Sequence, residues 1–395
     1  MDSKLIKENI YLFIGNFILY FFGYIFQFYL GHKFNPEDFG IIGTLFSILT
    51  IISLLLYSIQ ITITQIISKN KIEKTRSLFI QITKKSFIIG SIIGIILLTI
   101  SPILSIFLNI NLTYFVLIAI ATLFLMLLMS SRGILQGLEN FKQLGINLTI
   151  EGVLRLILGV IFVLLGFKIN GVLGALIASY FISFIIIYFT FKNKNETKIN
   201  TQEIYSTLPY NFTALLFLNI LGVIDLILAR HFLTPIETGY YTAISILGKI
   251  IPSLSITIGM VLISKSIKEK GNLRILSESL LISIIISIPL ILIFFLIPKT
   301  IINLSLGINY LEATKYLGLF SINTTIYSLI VILTYYFISQ KNKSLIYISI
   351  IILILEIILI FLFHENIIQI IITSLITMII LIITYIFLII KIKHK

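Results

Sequence analysis

His32-Lys33-Phe34-Asn35-Pro36-Glu37-Asp38-Phe39-Gly40 joins two long apolar runs, and His231-Phe232-Leu233-Thr234-Pro235-Ile236-Glu237-Thr238-Gly239 does the same half a chain later. Both segments read H-x3-P-x-[D/E]-x-G. In such a connection proline stops the first helix, the acid caps the next, and glycine lets the chain turn back. A repeat of this kind predicts that the chain is duplicated. Six membrane crossings per half return the chain to its starting side, so the halves are expected to be parallel repeats about an axis normal to the membrane. The expected division is 1–197 and 198–395, each half a six-helix bundle.

Composition supports this reading. The 395 residues are 58% hydrophobic and 11% charged, with a mean hydropathy of +1.11; soluble chains carry about 25% charged residues. A spanning helix needs ~20 apolar residues. Apolar runs predict twelve spans, at 9–31, 40–67, 86–108, 112–131, 147–166, 171–191, 209–229, 239–263, 276–298, 315–338, 344–363 and 366–390. The fold class is therefore all-α and polytopic, with twelve transmembrane helices in two pseudo-symmetric bundles. The first run is long and lacks a small-residue cleavage site, so it reads as a retained helix. Cysteine is absent, which excludes disulfides, thiolate catalysis and cysteine-ligated metals. The four histidines show no metal-ligand spacing, so no metal or cofactor is expected.

The net charge of +13 resembles a nucleic-acid footprint, but its distribution argues otherwise. Lys4 and Lys7, the run Lys69 to Lys85, Arg132 and Lys142, the 192–198 and 265–274 segments, Lys341, Lys343 and the terminal lysines all fall on one side of the predicted spans. The other side holds Lys33, Lys168, Arg230, Lys299 and Lys315. Lys and Arg are retained in the cytoplasm, so both termini are expected there, in the cell membrane. The charge encodes orientation, and no nucleic-acid partner is expected.

The sequence resembles the polysaccharide flippase family, the O-antigen-type exporters of the multidrug/oligosaccharidyl-lipid/polysaccharide superfamily. The likeness rests on Pro36-Glu37-Asp38-Phe39-Gly40, on the stretch Arg132-Gly133-Ile134-Leu135-Gln136-Gly137-Leu138-Glu139-Asn140-Phe141-Lys142, on Asp225 through Gly239-Tyr240-Tyr241, and on Leu306-Gly307-Ile308-Asn309-Tyr310-Leu311-Glu312-Ala313. The resemblance implies two six-helix bundles that move polyprenyl-diphosphate-linked oligosaccharides from the cytoplasmic to the outer leaflet. The chain lacks the two extra helices of some lipid II flippases, which weakens a peptidoglycan-precursor reading.

An ionisable residue at mid-bilayer costs roughly 2.5–3.5 kcal/mol on insertion scales, so each one needs a partner or a wet cavity. Five stand well inside predicted spans, away from their ends: Glu151, Arg155, Asp225, Lys249 and Glu356. Lys249 is either a cavity cation for a diphosphate or sugar acid, or the partner of Asp225 on the preceding span. Glu151 and Arg155, at i and i+4, form a self-neutralising pair or set Arg155 to offer phosphate a bidentate fork. Glu356 has no local partner and carries a coupling proton or bonds a neighbouring helix. Asp225, Glu151 and Glu356 are thus candidates for coupling to H+ or Na+. Arg230 at the outer mouth anchors its span or contacts ligand. Arg132 and Lys142 meet the lipid diphosphate on loading, or serve as cytoplasmic anchors. The run from Lys69 to Lys85, with Leu78, Phe79, Ile80 and Ile82 interleaved, reads as an interfacial segment on anionic lipid.

The leading reading is an alternating-access flippase for lipid-linked oligosaccharides in surface polysaccharide assembly. Its rival is a cation-coupled multidrug or small-molecule antiporter of the same superfold, which an acidic, cation-poor cavity would favour. A membrane-embedded glycan polymerase would need acid–base residues on a substantial loop, and no connection here much exceeds about 20 residues. The chain is accordingly not expected to be an enzyme.

Overall fold

The computed structural model describes residues 3–69, 76–191, 210–268, 273–340 and 344–393, and within them the backbone is helical with no strand. Among the described residues ten helices are long and apolar enough to cross a membrane. The chain is a multi-pass membrane protein. It divides into two compact units, one of Met1–Tyr29 with Ile52–Pro209, the other of Leu30–Ile51 with Tyr210–Lys395. The expected boundary at 197/198 lies outside the described residues.

The first six expected spans occur as α1 (Ser3–Lys33), α2 (Pro36–Lys69), α3 (Arg76–Leu108), α4 (Leu112–Gly137), α5 (Phe141–Leu164) and α6 (Lys168–Tyr188). The expected interfacial segment is not separate from the third span. Lys69 ends α2, and from Arg76 on the segment forms the first turns of α3, with Leu78, Phe79 and Ile82 buried. Phe79 packs against Phe191 at 4.7 Å and Tyr188 at 5.8 Å. These side chains are taken up by protein and not by lipid. Lys71 and Lys74 lie outside the described residues.

In the first unit, helices pack without a hydrophobic driving force between them, so close backbone approach has to supply the attraction. α5 carries Gly145, Gly152 and Gly159 along one face, and α1 lies on that face. A Cβ on Gly15 of α1 would stand 2.6 Å from the Gly145 carbonyl oxygen, and one on Gly152 would stand 3.0 Å from Leu19 Cα. α2 and α4 are joined by polar contacts as well. Gln60 Nε2 donates to Gln136 Oε1 at 3.1 Å and Thr64 Oγ1 donates to the Gly133 carbonyl at 3.2 Å. The Arg132–Gly137 motif therefore serves largely as a helix-packing device.

The second unit contains α7 (Tyr210–Leu221), α8 (Ile224–Phe232), α9 (Pro235–Gly248), α10 (Ile250–Lys268), α11 (Leu273–Leu296), α12 (Pro298–Ser305), a 3-10 turn (Ile308–Ala313), α13 (Thr314–Ser339), α14 (Ser344–Leu362) and α15 (Ile367–Lys393). Both copies of the repeat lie here. Pro36 and Pro235 open α2 and α9, where a missing N–H costs nothing. Asn35 Oδ1 accepts from Asp38 N at 2.9 Å, and Thr234 and Glu237 form a reciprocal capping box. The glycines depart from expectation, because neither Gly40 nor Gly239 makes a turn and both are helical. They mark the place where α2 and α9 cross, and a Cβ on Gly40 would stand 3.0 Å from Gly239 N. Tyr310 joins the same assembly, donating its hydroxyl to the Phe34 carbonyl at 2.8 Å and meeting Phe39 edge-on at 5.2 Å.

The seventh and eighth expected spans are interrupted. At the first break, Tyr327 inserts its ring beside Gly222 and donates to the Leu218 carbonyl at 3.1 Å. A side chain inserted at the helix ladder is a recognised cause of a kink. At the second, Pro252 has no N–H for the Gly248 carbonyl, and the helix is interrupted at Lys249.

The α1–α5 contact makes a direct prediction. Gly145→Leu should lower the melting temperature of the detergent-solubilised protein, by the roughly 1–3 kcal/mol of an overpacked contact. Gly23→Ala, where a Cβ meets nothing within 4 Å, should not lower the melting temperature and, in a helix interior, should raise it slightly.

Candidate functional site

The structure gathers the charged residues within spans into two separate clusters, one in each unit. In the first unit, Asn147, Glu151 and Arg155 recur every fourth residue along α5, so they share a face. Glu151 sits between two guanidiniums. Arg132 Nη2 is 2.7 Å from its Oε2, and Arg155 Nη2 contacts its Oε1. Arg132 also donates from Nε to Asn147 Oδ1 at 2.9 Å, and Asn147 donates onward to the Ser183 carbonyl at 2.8 Å. Arg132 was expected at the cytoplasmic mouth, but its side chain is 3% exposed and its donors are used by Asn147 and Glu151. Its guanidinium lies inside this buried cluster and not at the surface.

Arg155 is different. Its side chain is 21% exposed, its Nε finds no hydrogen-bond partner, and its guanidinium lies 5.7 Å from the centre of the Tyr180 ring. Two arginines against one glutamate leave one uncompensated positive charge, carried by the more exposed of the two. A guanidinium with spare donors suits bidentate recognition of a phosphate or carboxylate. The Glu151–Arg155 pair is formed, and the second arginine leaves the cluster with a net positive charge.

In the second unit, a cavity of about 20 Å³ lies at the two helix breaks. It is lined by Leu221, Gly222, Asp225, Lys249, Asn323, Thr324, Tyr327 and Ser374, among others. That volume exceeds the ~10–15 Å³ a single water needs. Asp225 is in the first turn of α8, where the helix dipole favours a negative charge. Its Oδ2 accepts from the Tyr241 hydroxyl at 2.8 Å, while its Oδ1 has no partner. Asp225 and Lys249 share the cavity but form no ion pair. Asn323 Nδ2 donates to Ser374 Oγ at 3.1 Å and leaves the Asn323 Oδ1 unpaired. Glu356 on α14 is fully buried, with the Ser374 hydroxyl close by and neither carboxyl oxygen well bonded. The cluster thus offers several oxygen acceptors that protein donors do not satisfy.

The remaining sequence candidates stand apart from these clusters. Lys142 is exposed at the start of α5. Arg230 is buried in the last turn of α8 and lies within electrostatic reach of Glu37 in the first repeat copy. The polar partners Asn147, Tyr241, Asn323, Tyr327 and Ser374 were missed from sequence. Asn147 was recoverable from its four-residue spacing to Glu151. The others are Ser, Asn and Tyr residues in a chain rich in all three, and only tertiary contact distinguishes them.

Comparisons with known proteins agree with this architecture. A family model described as polysaccharide biosynthesis protein matches residues 5–263. No curated protein matches the chain in sequence. Among solved structures, an inward-facing multidrug resistance MATE family transporter of the MOP superfamily superposes with a TM-score of 0.76 at 15% identity, covering 98% of this chain and 99% of that one. The lipid II flippase MurJ in an inward closed conformation gives 0.72 at 17% identity, covering 97% and 87%. The MATE multidrug transporter DinF-BH gives 0.65 at 14% identity, covering 99% and 96%. At these identities the likeness is one of fold.

The charge count of the first cluster predicts an order of stabilities. Glu151→Gln leaves two guanidiniums uncompensated and should cost about 3–5 kcal/mol. Arg155→Gln leaves a neutral Arg132–Glu151 pair and should cost far less. Thermal unfolding in detergent checks the order, and equal losses would contradict it.

Proposed function

The chain belongs to the polysaccharide biosynthesis protein family, and from that premise we propose that it is an alternating-access flippase. It moves polyprenyl-diphosphate-linked oligosaccharides from the cytoplasmic to the outer leaflet. In this reading each interrupted helix pair counts as one crossing, giving twelve crossings in two six-helix bundles. Both termini are then cytoplasmic, as the loop lysines favour.

The observation that carries the proposal is the uncompensated charge on Arg155, half-buried in a membrane-spanning helix with a free Nε. Holding a cation there is costly, and the cost is offset when an anionic group binds. A diphosphate matches the guanidinium fork in geometry and in charge. Glu151 then acts as a counter-ion that stays with Arg132 while Arg155 engages the ligand. Lys142 meets the diphosphate on loading from the cytoplasmic side, and Arg230 braces the outer end of α8. Lys249 supplies a second cation in the other unit.

The coupling ion is assigned to the second cluster. Asp225 and Glu356 carry unpartnered carboxyl oxygens, and Asn323 adds a carbonyl oxygen. These oxygens suit a proton or a hard cation such as Na+, with Lys249 of the same cavity as the competing positive charge. Interrupted helices around buried polar groups are a common setting for ion sites in secondary transporters. These same acids favour a second reading, in which the chain is a cation-coupled antiporter of a soluble molecule.

Translocation of a labelled polyprenyl-diphosphate oligosaccharide in proteoliposomes tests the proposal. Protein-dependent flipping that falls at least about tenfold in Arg155→Gln is the expected result. Undiminished flipping in that variant would remove Arg155 from the site. Gradient-driven movement of a soluble cation, with no flipping of any glycolipid, would support the antiporter. Asp225→Asn and Glu356→Gln should each abolish the response of flipping to an imposed H+ or Na+ gradient. A response that survives in both would remove the second cluster from coupling.

A further inference from the structure

Among the described residues, Asp225 and Lys249 are the charged members of the wall of the small cavity in the second unit. Each stands where a helix end favours its sign. Lys249 is the C-cap of α9, at the negative end of that half-helix, and Asp225 is in the first turn of α8, at the positive end. The two charges sum to zero, yet they form no direct ion pair. The cavity they share, of about 20 Å³, has room for one water. Two acceptors of the same wall lack a donor. They are Asp225 Oδ1 and Asn323 Oδ1, on residues 3% and 4% exposed. The other Asp225 oxygen is taken by the Tyr241 hydroxyl, and the Asn323 amide donates to Ser374.

An ammonium offers three donors and no acceptor. One water that accepts from the Lys249 ammonium and donates to both free oxygens satisfies the three groups together, and three partners are what a buried water typically has. A soluble metal ion fits less well. It would enter a space for one water, on a wall already neutral, beside a fixed positive charge. Glu356 lies close to Ser374 without joining that wall. We propose that the Lys249 ammonium is the resident cation of this cavity, linked to Asp225 and Asn323 through one water, and that it takes the place of a soluble metal ion. The inference rests on the assignment of this cluster to coupling and narrows it. Of H+ and Na+, the proton remains, with Asp225, Glu356, Tyr241 and Tyr327 as the other titratable groups around the cavity. The second cation thus acts within its own unit.

Thermal unfolding in detergent, in NaCl and in choline chloride at equal concentration, tests this without any lipid substrate. Wild type should melt at the same temperature in both salts. Lys249→Ala removes the resident charge and opens space beside Asp225. It should acquire a saturable response to Na+, a rise in melting temperature of roughly 2–4 °C. Should Lys249→Ala not fold, Lys249→Gln, which keeps most of the stem and loses the charge, carries the same expectation. The response should vanish when Asp225→Asn is added to either variant. A wild-type protein that is itself raised by Na+ would overturn the proposal. So would a folded Lys249 variant indifferent to Na+, or a Na+ response that persists without the Asp225 charge. In proteoliposomes, wild-type flipping driven by a Na+ gradient would remove the resident cation and keep the flippase. No flipping of any glycolipid, with the melting pattern as expected, would do the reverse.

Discussion

Moving a charged side chain from water into hydrocarbon costs several kcal/mol, and it costs much more when the charge is left alone. The polar architecture of this chain is a response to that penalty. Glu151 is shared by two arginines, and Asn147 takes the spare donor of the deeper one. Asp225 sits in the first turn of a half-helix and under a tyrosine hydroxyl. Each arrangement lowers the penalty without removing it. What remains is one positive charge in the first unit and unsatisfied carboxyl oxygens in the second.

The packing obeys a related constraint. Lipid tails are as apolar as leucine, so burying leucine between two helices gains little, and close backbone contact takes over. This explains why the motifs shared with the polysaccharide biosynthesis family are rich in glycine and poor in reactive groups. Gly40 and Gly239 mark a helix crossing, Gly133 lets α4 approach Gln60, and Leu306 covers Gly31. The glycines of these stretches build the scaffold, while Asp225 and Arg132 in the same stretches are held in the buried polar clusters.

The sequence was most readable where one physical signal dominates. Long apolar runs and the lysine bias carry the membrane class, and the first six helices follow the runs closely. The four-residue spacing from Asn147 to Arg155 shows a polar stripe to anyone who counts. Three features were not readable, each for its own reason. The burial of Arg132 is not legible because its partner, Glu151, belongs to the next helix. Gly40 looked like a turn because a glycine at a helix crossing and one at a turn look the same in sequence. The break at Lys249 follows from Pro252, but proline within a membrane helix is often tolerated, so its presence alone does not signal an interruption.

The glycine face of α5 has a mechanical consequence. Glycines at 145, 152 and 159 form a smooth channel only in one register. Sliding α1 by one helical turn would replace them with Leu148, Arg155 and Phe162, or with Thr149, Leu156 and Val163. Each of those side chains would run into the α1 backbone. α1 is thus keyed to α5 as a splined shaft is to its hub. Shear of one helical turn between these two helices would therefore cost the close backbone contact that holds them together.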